Sequence, residues 1–409
     1  METIIVFKGS SQYDVLRYFA NDLARAFGKF NYEVEIIDLN QDHWDEKLIS
    51  ILGSKKVAFF VGLNGVGIQM DLNGESLFTN MKTPFVAYLV DHPMYHINRL
   101  ESAMHNNVIV SCMDVEHINY LRHMGAEFAR AFTTLFIPHG SYVNKNDLIS
   151  AKQSADRPID ILFAGSYIDP DEIRSKWKNS SSSILGKVAD AIAEEALESE
   201  CVPIHEITKK ILVDKGILLS DSLHLEFWHL LMSVDSYVRN KIRRDIIEHL
   251  HTLEYRVDIF GNGWDQLNLA SRANFLINNN MSFLGIQKKM KEAKMTLNIT
   301  PTIHAGGHER IFTSMLMGSV ALSTNNRYLR TNFKHGESIL LFSSKNMNEL
   351  SRVLEEHLKN TEKLNIIAQN GKEIASGEHT WENRALEIIE SVRMYTLLQK
   401  TKETRMQQK

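Results

Sequence analysis

Two cysteines, Cys112 and Cys201, are too few for a disulfide framework, so the default environment is a reducing one. No apolar run approaches the roughly 18 residues needed to cross a bilayer. The start lacks a basic segment followed by an apolar stretch; Thr3–Phe7 reads there as a strand. Charge of one sign is lacking too, and a net −4 over 409 residues gives nucleic acid no bulk electrostatic handle. Internal repeats and low-complexity tracts are absent. With 44% hydrophobic and 23% charged residues, the composition predicts a soluble, cytoplasmic protein with two cores rather than one.

The first 150 residues alternate short β-rich runs with helical patterns. Strands are expected at Thr3–Phe7, Glu33–Asp38, Lys56–Gly62, Pro84–Val90, Asn107–Cys112 and Thr133–Pro138. Most are continuous apolar runs, as in parallel strands buried on both faces. Leu16, Phe19, Ala20, Leu23 and Phe27 recur at helical spacing between the first two. A polar stretch follows, and the domain boundary is placed near 145–157. A second alternation then begins with Ile159–Phe163 and continues through Tyr255–Phe260, Met281–Leu284, Met295–Ile299, Val320–Ser323 and Ser338–Phe342. Between its first two strands, about 170–253, Pro and Gly nearly vanish and apolar residues keep helical spacing, which predicts a helical insertion. The expected division is thus an N-terminal domain at 1–150, a second at 157–385, and a C-terminal helix with a frayed polar tail at 386–409. Strands alternating with helices imply two doubly wound, Rossmann-like α/β domains facing across a cleft, with ligands outside the carboxyl ends of the strands.

The richest chemistry lies between Leu297 and Thr324. A strand ends at Ile299, Gly306-Gly307 turns the chain, and a helix runs from about His308 to Met317 with Ile311, Phe312, Met315 and Leu316 on its buried face. Paired glycines before a helix let a ligand approach the backbone, and first-turn amides favour an anion such as a diphosphate. Glu309 stands where a carboxylate could accept from a ribose diol, and Arg310 could approach phosphate. Read plainly, the same residues make an ordinary helix start, since an acidic first turn suits the helix dipole anyway.

The run His308-Glu309-Arg310-x-Phe312-x-x-Met315-x-x-Gly318, preceded by a strand ending in Leu297-Asn298, resembles the donor-binding segment of GT-B glycosyltransferases, and specifically of their CgeB-like (spore maturation protein) group. Four further pieces fall in that family's order: Ile161-Leu-Phe-Ala-Gly-Ser166, Ile259-Phe-Gly-Asn-Gly-Trp264, Phe333-Lys-His-Gly-Glu337, and His379-Thr-Trp-Glu-Asn-Arg384. The resemblance covers about 220 residues of the C-terminal half. It implies a nucleotide-sugar donor, most readily a UDP-sugar, on the second domain, with Asn298, Gly307, His308, Glu309 and Arg310 around it. Gly165 and Ser166 would lie by the diphosphate or acceptor, and Gly263 and Trp264 would help form the base pocket. Trp264 reads equally well as a plain core aromatic.

In the first domain, a buried strand ends on Asp91-His92-Pro93. Polar residues at a strand's carboxyl end, and the family resemblance, make Asp91 or His92 the candidate general base toward an acceptor hydroxyl. The competing reading has Asp91 capping the next turn and His92 packed within it. His139 ends another strand and reads first as a packing residue. The loop Gly62-x-x-Gly65-x-Gly67 does not fit a dinucleotide fingerprint in spacing or place. Metal chemistry is not expected: no Asp-x-Asp pair ends a strand, and Gly306-Gly307 separate His304 from His308. No permanently bound cofactor is implied. The expected reaction is metal-independent transfer of a sugar to a hydroxyl on a glycan, protein or metabolite. A catalytically silent nucleotide-sugar sensor or scaffold, and a sugar-nucleotide 2-epimerase, are the alternatives. The insertion could serve as an acceptor platform or as a homodimer interface.

Overall fold

The computed structural model describes residues 1–11, 14–142, 152–180, 183–218, 221–270 and 272–407. The chain divides into two compact units: unit 1 combines Met1–Tyr142 with Glu378–Lys409, and unit 2 spans Val143–Gly377. Much of the stretch expected to hold the first boundary, 143–151, lies outside the described residues.

Unit 1 runs β1 (Thr3–Lys8), α1 (Val15–Phe27), β2 (Glu33–Asp38), α2 (Trp44–Ser54), β3 (Val57–Leu63), β4 (Phe85–Leu89), β5 (Val108–Cys112), α3 (Val115–His123) and β6 (Thr133–Phe136), with shorter helical turns between. The six strands form one sheet in the order β2-β1-β3-β4-β5-β6, every pairing parallel. β4 and β5 are buried along their whole length, as continuous apolar runs require when both faces are covered.

Unit 2 opens with β7 (Ile159–Ala164). Four helices follow before the next strand: α4 (Pro170–Ser180), α5 (Ser183–Glu198), α6 (Ile204–Asp214) and the long α7 (Asp221–Thr252). The alternation then resumes as β8 (Val257–Phe260), β9 (Phe275–Asn278), α8 (Phe283–Met290), β10 (Ala293–Asn298), α9 (Glu309–Leu316), β11 (Val320–Thr324), α10 (Arg327–Asn332), β12 (Leu340–Phe342), α11 (Met347–Leu358) and α12 (Thr361–Glu378). This sheet is parallel throughout, in the order β9-β8-β7-β10-β11-β12, the 3-2-1-4-5-6 pattern of a Rossmann domain. Alternate residues of β7 face opposite layers. Ile161 and Phe163 pack with Ile246, Leu250 and Val353, whereas Leu162 packs with Ile311, Phe312 and Met315 of α9. Arg157, buried ahead of β7, donates to the carbonyls of Met290, Ala293 and Met317, and so ties the ends of α8 and α9 to the start of the sheet.

Three expectations need correction. Met281–Leu284 is not a strand: the Ser282 hydroxyl accepts from Gly285 N (3.2 Å) and starts α8, while the edge strand is Phe275–Asn278, six residues earlier. Both are short apolar runs, and periodicity cannot separate them. The division at 385/386 falls inside α13 (Trp381–Gln407), a continuous helix that belongs to unit 1 rather than to the second domain. It is joined there by backbone bonds, Ser141 N to His379 O (2.9 Å) and Trp381 N to Ser141 O (3.1 Å). The His379-Thr-Trp-x-x-Arg384 element therefore closes unit 1, with the Trp381 ring 5.3 Å from that of Phe19. Finally, the segment from Lys400, expected to fray, continues the helix to Gln407.

Candidate functional site

In open parallel sheets ligands settle where the strand order reverses, outside the carboxyl ends. In unit 2 the reversal lies between β7 and β10. Their ends are Gly165-Ser166 and Asn298, both anticipated from the sequence.

Two glycine turns meet at the β7 end. Gly165 N donates to Phe260 O (2.9 Å) and Tyr167 N to Asn262 O (2.9 Å). A Cβ on Gly261 would lie 2.2 Å from Gly165 O, and one on Gly263 (φ +88°) 2.2 Å from Tyr167 O, so neither position admits a side chain. Trp264 is only 1% exposed; its indole N–H donates to Gly165 O (2.6 Å) and its ring stacks on Tyr167 at 4.9 Å. It thus sets the shape of the Gly165 turn from below and presents no face to a base.

α7 folds back onto this same turn. Asn240 Oδ1 accepts from Ile168 N (3.0 Å), Arg243 donates to Ser166 O (3.0 Å), and Arg244 pairs with Asp171 (2.9 Å) and Asp169 (3.7 Å). The sequence reading missed these residues. Their signal was present: Asn240, Arg243 and Arg244 sit at i, i+3 and i+4, one polar face on a helix otherwise read only for its apolar stripe. Asp169-Pro170-Asp171 is an Asp-x-Asp pattern, but it opens α4 rather than ending a strand, and Arg244 occupies both carboxylates.

At the β10 end, buried Asn298 donates to Thr300 Oγ1 (3.0 Å) and Ser323 Oγ (3.1 Å), and its Oδ1 faces Arg310 Nη1 at 3.5 Å. The loop that follows is held by α10. Asn326 Nδ2 donates to the carbonyls of Ile303 and Gly306 (3.0 Å each), and Arg327 N donates to His304 O (3.0 Å). Gly307 packs so closely that a Cβ would lie 2.5 Å from the Phe312 ring. His308 caps α9, its Nδ1 accepting from Arg310 N at 3.2 Å, so the proton of this imidazole resides on Nε2. That cap occupies an amide expected to meet an anion, which shifts the electrostatic role toward the Arg310 guanidinium. Glu309 is buried and accepts from Thr313 Oγ1 (3.3 Å); burial raises its proton affinity, against the pull of Arg310 and Thr313. Burial likewise lowers the Arg310 pKa, opposed by Glu309, yet a guanidinium stays charged at any relevant pH. Gly165, Ser166, Asn298, Gly307, His308, Glu309 and Arg310 therefore all stand at or beside the two strand ends of the switch point. Trp264 and Gly263 lie one layer beneath it.

In unit 1 the strand order reverses between β1 and β3, one strand away from β4 and its Asp91-His92 end. Asn64, in the Gly62–Gly67 loop beyond β3, spans that gap. Its Nδ2 donates to Asp91 Oδ2 (2.7 Å), and its Oδ1 accepts from Val90 N (2.9 Å) and Asp91 N (3.3 Å). The Asp91 side chain stays 60% exposed. His92, not Asp91, makes the cap: its Nδ1 accepts from Met94 N (3.1 Å), and its ring lies 4.4 Å from that of His117 and 4.7 Å from that of Tyr120. His92 is packed and Asp91 is presented. His96 Nε2 lies 3.9 Å from Asp91, but burial holds its pKa down at about 4. His139 is buried beneath the strand end, Nε2 at 3.3 Å from Val90 O, its pKa also lowered to about 4 by burial.

Residues 239–390 match a family described as glycosyl transferase-like. That segment begins in α7 just before Asn240 and takes in the Gly306-Gly307 loop and α9. No curated protein sequence matches the chain. Solved structures do match over nearly its full length. A sucrose-phosphate synthase from Thermosynechococcus elongatus superposes with a TM-score of 0.55 at 11% identity, over 97% of this chain and 100% of that one. Anabaena HepE in complex with UDP-glucose gives 0.54 at 13%, over 96% and 100%. An alpha-glucosyltransferase in complex with UDP gives 0.59 at 11%, over 96% and 100%. At such identities the likeness is one of fold, and that fold is the two-domain GT-B architecture with its pair of Rossmann-like sheets. Among the described residues, no helix is long and apolar enough to cross a membrane.

Proposed function

We propose that this chain, a glycosyltransferase of GT-B fold that draws on a nucleotide-sugar donor, is a cytoplasmic CgeB-like enzyme that passes the sugar of a UDP-sugar to an acceptor hydroxyl without a metal ion. The acceptor is a glycan, a protein or a small metabolite. One observation carries the reading: the paired-glycine loop, the His308-capped helix and the Glu309–Arg310 pair converge with the Gly165 turn at the switch point of unit 2. Uridine is the favoured base because HepE and the alpha-glucosyltransferase, which share the fold, hold UDP or UDP-glucose.

In the reaction, the acceptor O–H gives its proton to the Asp91 carboxylate as its oxygen bonds to the anomeric carbon. The bond from that carbon to the diphosphate breaks, and UDP leaves with the electron pair. Arg310 and the start of α9 stabilise the departing charge, in the role a metal would otherwise play. Glu309 accepts from the ribose diol. Asn64 orients Asp91 toward the acceptor.

A thermal-shift panel of UDP, GDP, dTDP and CMP with their sugars, in EDTA, tests this on the wild type and Glu309→Ala. A ligand at 100 times its Kd adds about 2.7 kcal/mol of stability. UDP and one UDP-sugar should stabilise the wild type and lose most of that effect in the variant. Equal stabilisation of both proteins, or none of the wild type, overturns the donor site, and the silent-scaffold reading then takes its place.

A further inference from the structure

Unit 1 has a second surface with chemistry of its own, at the opposite end of the sheet from Asp91. It lies where the amino ends of β3, β4 and β5 meet the later turns of α13. Two open grooves of about 450 Å³ and about 490 Å³ run there, and Lys82, Pro84, Thr396 and Lys400 line both, so they form one continuous face. That face is cationic. Lys82, His105 and Lys400 line the first groove with neutral residues only, and Lys56 and Arg393 join Lys82 and Lys400 in the second. Glu2 is the one carboxylate on either wall, and Lys56 Nζ holds it at 2.8 Å. Among the described residues no carboxylate pairs with Lys82, His105 or Lys400. The turn that carries Lys82 is fixed against the helix: Asn107 Nδ2 donates to Phe78 O (3.3 Å), and its Oδ1 accepts from Tyr395 Oη (2.9 Å).

α13 changes character in the same turns. Ala385, Ile388, Ile389 and Val392 are buried on its inner side. Beyond them Met394, Leu397 and Leu398 are 58%, 59% and 54% exposed, and their i, i+3, i+4 spacing makes one outward stripe. Lys402 and Arg405 continue that stripe from Leu398 at i+4 and i+7, and Lys400 flanks Leu397 at i+3; all three are exposed. Glu390, one turn before Met394, marks the acidic edge where the patch ends.

Large apolar side chains held in water among unpaired cations fit a partner that is anionic and also takes up hydrocarbon. A nucleic acid would meet the charge and leave the leucines in water. The rings beside the grooves, Tyr32 and Tyr395, are half-buried and hydrogen-bonded, so neither is free to stack a base. A second copy of this chain would cover the leucines but set cation against cation across a two-fold axis. The headgroup layer of an anionic bilayer meets both demands. The geometry points to this face of unit 1 as a peripheral membrane-binding surface. Leu397 and Leu398 enter the boundary between headgroups and acyl chains, and Lys82, Lys400 and Lys402 meet the lipid phosphates and carboxylates. Lys82 precedes β4 and Asp91 follows it, so the bound protein keeps the Asp91 strand end turned away from the bilayer. This surface goes beyond the function proposed above and does not depend on it.

Flotation of the full chain with vesicles tests it, using phosphatidylcholine alone and phosphatidylcholine mixed with phosphatidylserine, at low salt and at about 0.5 M salt. The wild type should bind the anionic vesicles at low salt, bind the neutral ones far less, and leave the anionic ones in high salt. Lys82→Gln with Lys400→Gln removes two cations and should lower the partition coefficient about 25-fold, near fivefold for each. Leu397→Ser with Leu398→Ser should lower it about tenfold or more at unchanged charge. All four side chains are exposed, so Tm should hold in both double variants. Lys82→Arg with Lys400→Arg keeps the charge and should keep the binding, which separates lost charge from a damaged fold. No binding to anionic vesicles, or binding unaltered in both of the first two double variants, overturns the inference. Retention of an RNA oligonucleotide in place of vesicles overturns it too, as does a dimer that the leucine variant dissolves without any vesicle binding. UDP-sugar binding is measured apart from flotation, and its failure would sink the donor reading and leave this surface standing.

Discussion

Both sheets are six parallel strands, ordered 2-1-3-4-5-6 in unit 1 and 3-2-1-4-5-6 in unit 2, and they treat polar groups in opposite ways. In unit 2 the residues at each strand end of the switch point are held by side-chain bonds: Trp264 to Gly165 and Arg243 to Ser166 at one, and Asn298 to Thr300, Ser323 and Arg310 at the other. Such an end is pre-organised to hold a ligand in one pose. In unit 1 one carboxylate, Asp91, faces water while histidines lie desolvated around its strand end and the returning C-terminal segment. His96 and His139 have pKa values of about 4, and His379 about 3. That end presents a single exposed carboxylate among desolvated histidines. On the function proposed above, one sheet would supply the donor-binding surface and the other the reactive group.

The sharpest way to break the comparison is Asp91→Asn. A general base contributes about 10²–10⁴-fold, so kcat should fall by that order while UDP-sugar affinity, a property of unit 2, stays put. Asn64→Leu should reproduce a smaller share of the loss, because it frees Asp91 without removing it. Turnover that survives Asp91→Asn would move the base elsewhere. A drop confined to donor affinity would dissolve the division of labour altogether.

Acid should separate the units next. For a histidine whose folded pKa lies below its ordinary 6.5, the unfolded chain binds the proton first as pH falls. Stability from these groups is complete above about pH 6.5 and declines as pH drops toward 4. Each proton taken up on unfolding costs roughly 1.4 kcal/mol per pH unit. In unit 2, burial also lowers the pKa of His249 and His357. Hydrogen exchange followed by region between pH 7.5 and 4.5 should show unit 1 losing protection first, and His139→Gln should soften that loss. Earlier opening of unit 2 would contradict it.

Trp264→Phe probes the other side. It leaves Gly165 O without its indole donor inside the core, at a cost of about 1–3 kcal/mol in chemical denaturation. UDP-sugar affinity should fall with it, because the Gly165 turn loses its support. Unchanged stability would mean that the turn is held by its glycines and backbone bonds alone.

How legible all this was depended on how local the determinant is. Strands such as Val57–Leu63 and Phe85–Leu89 are readable because burial on both faces imposes a continuous apolar run. The α9 start was readable because a cap, two glycines and an amphipathic helix occupy a dozen consecutive positions. Asn64 was not, since its importance lies in a bond to a residue 27 positions away across two strand ends. The same holds for Arg243, 77 positions from Ser166. Trp264 shows the limit from the other direction: a Gly-x-Gly-Trp turn looks the same in sequence whether its ring lines a pocket or, as here, lies buried against Tyr167.

The division of the chain is the remaining point, and the smallest effect tests it. Nothing in the composition of 378–409 says that it rejoins the first sheet; what carries it there is tertiary. Trp381 packs on Phe19, Arg393 donates to Tyr32 Oη (3.2 Å), and Tyr395 Oη donates to Asn107 Oδ1 (2.9 Å). Asn107 immediately precedes β5, so Tyr395 joins α13 to the sheet nearly 290 residues back. Tyr395→Phe removes only that bond and should lower stability by about 0.5–1.5 kcal/mol. The loss should register as faster exchange in α13 and β5 and leave unit 2 untouched. If α12 and the unit 2 sheet respond instead, the last helix belongs with unit 2, and the chain has the simpler two-block division that its sequence suggests.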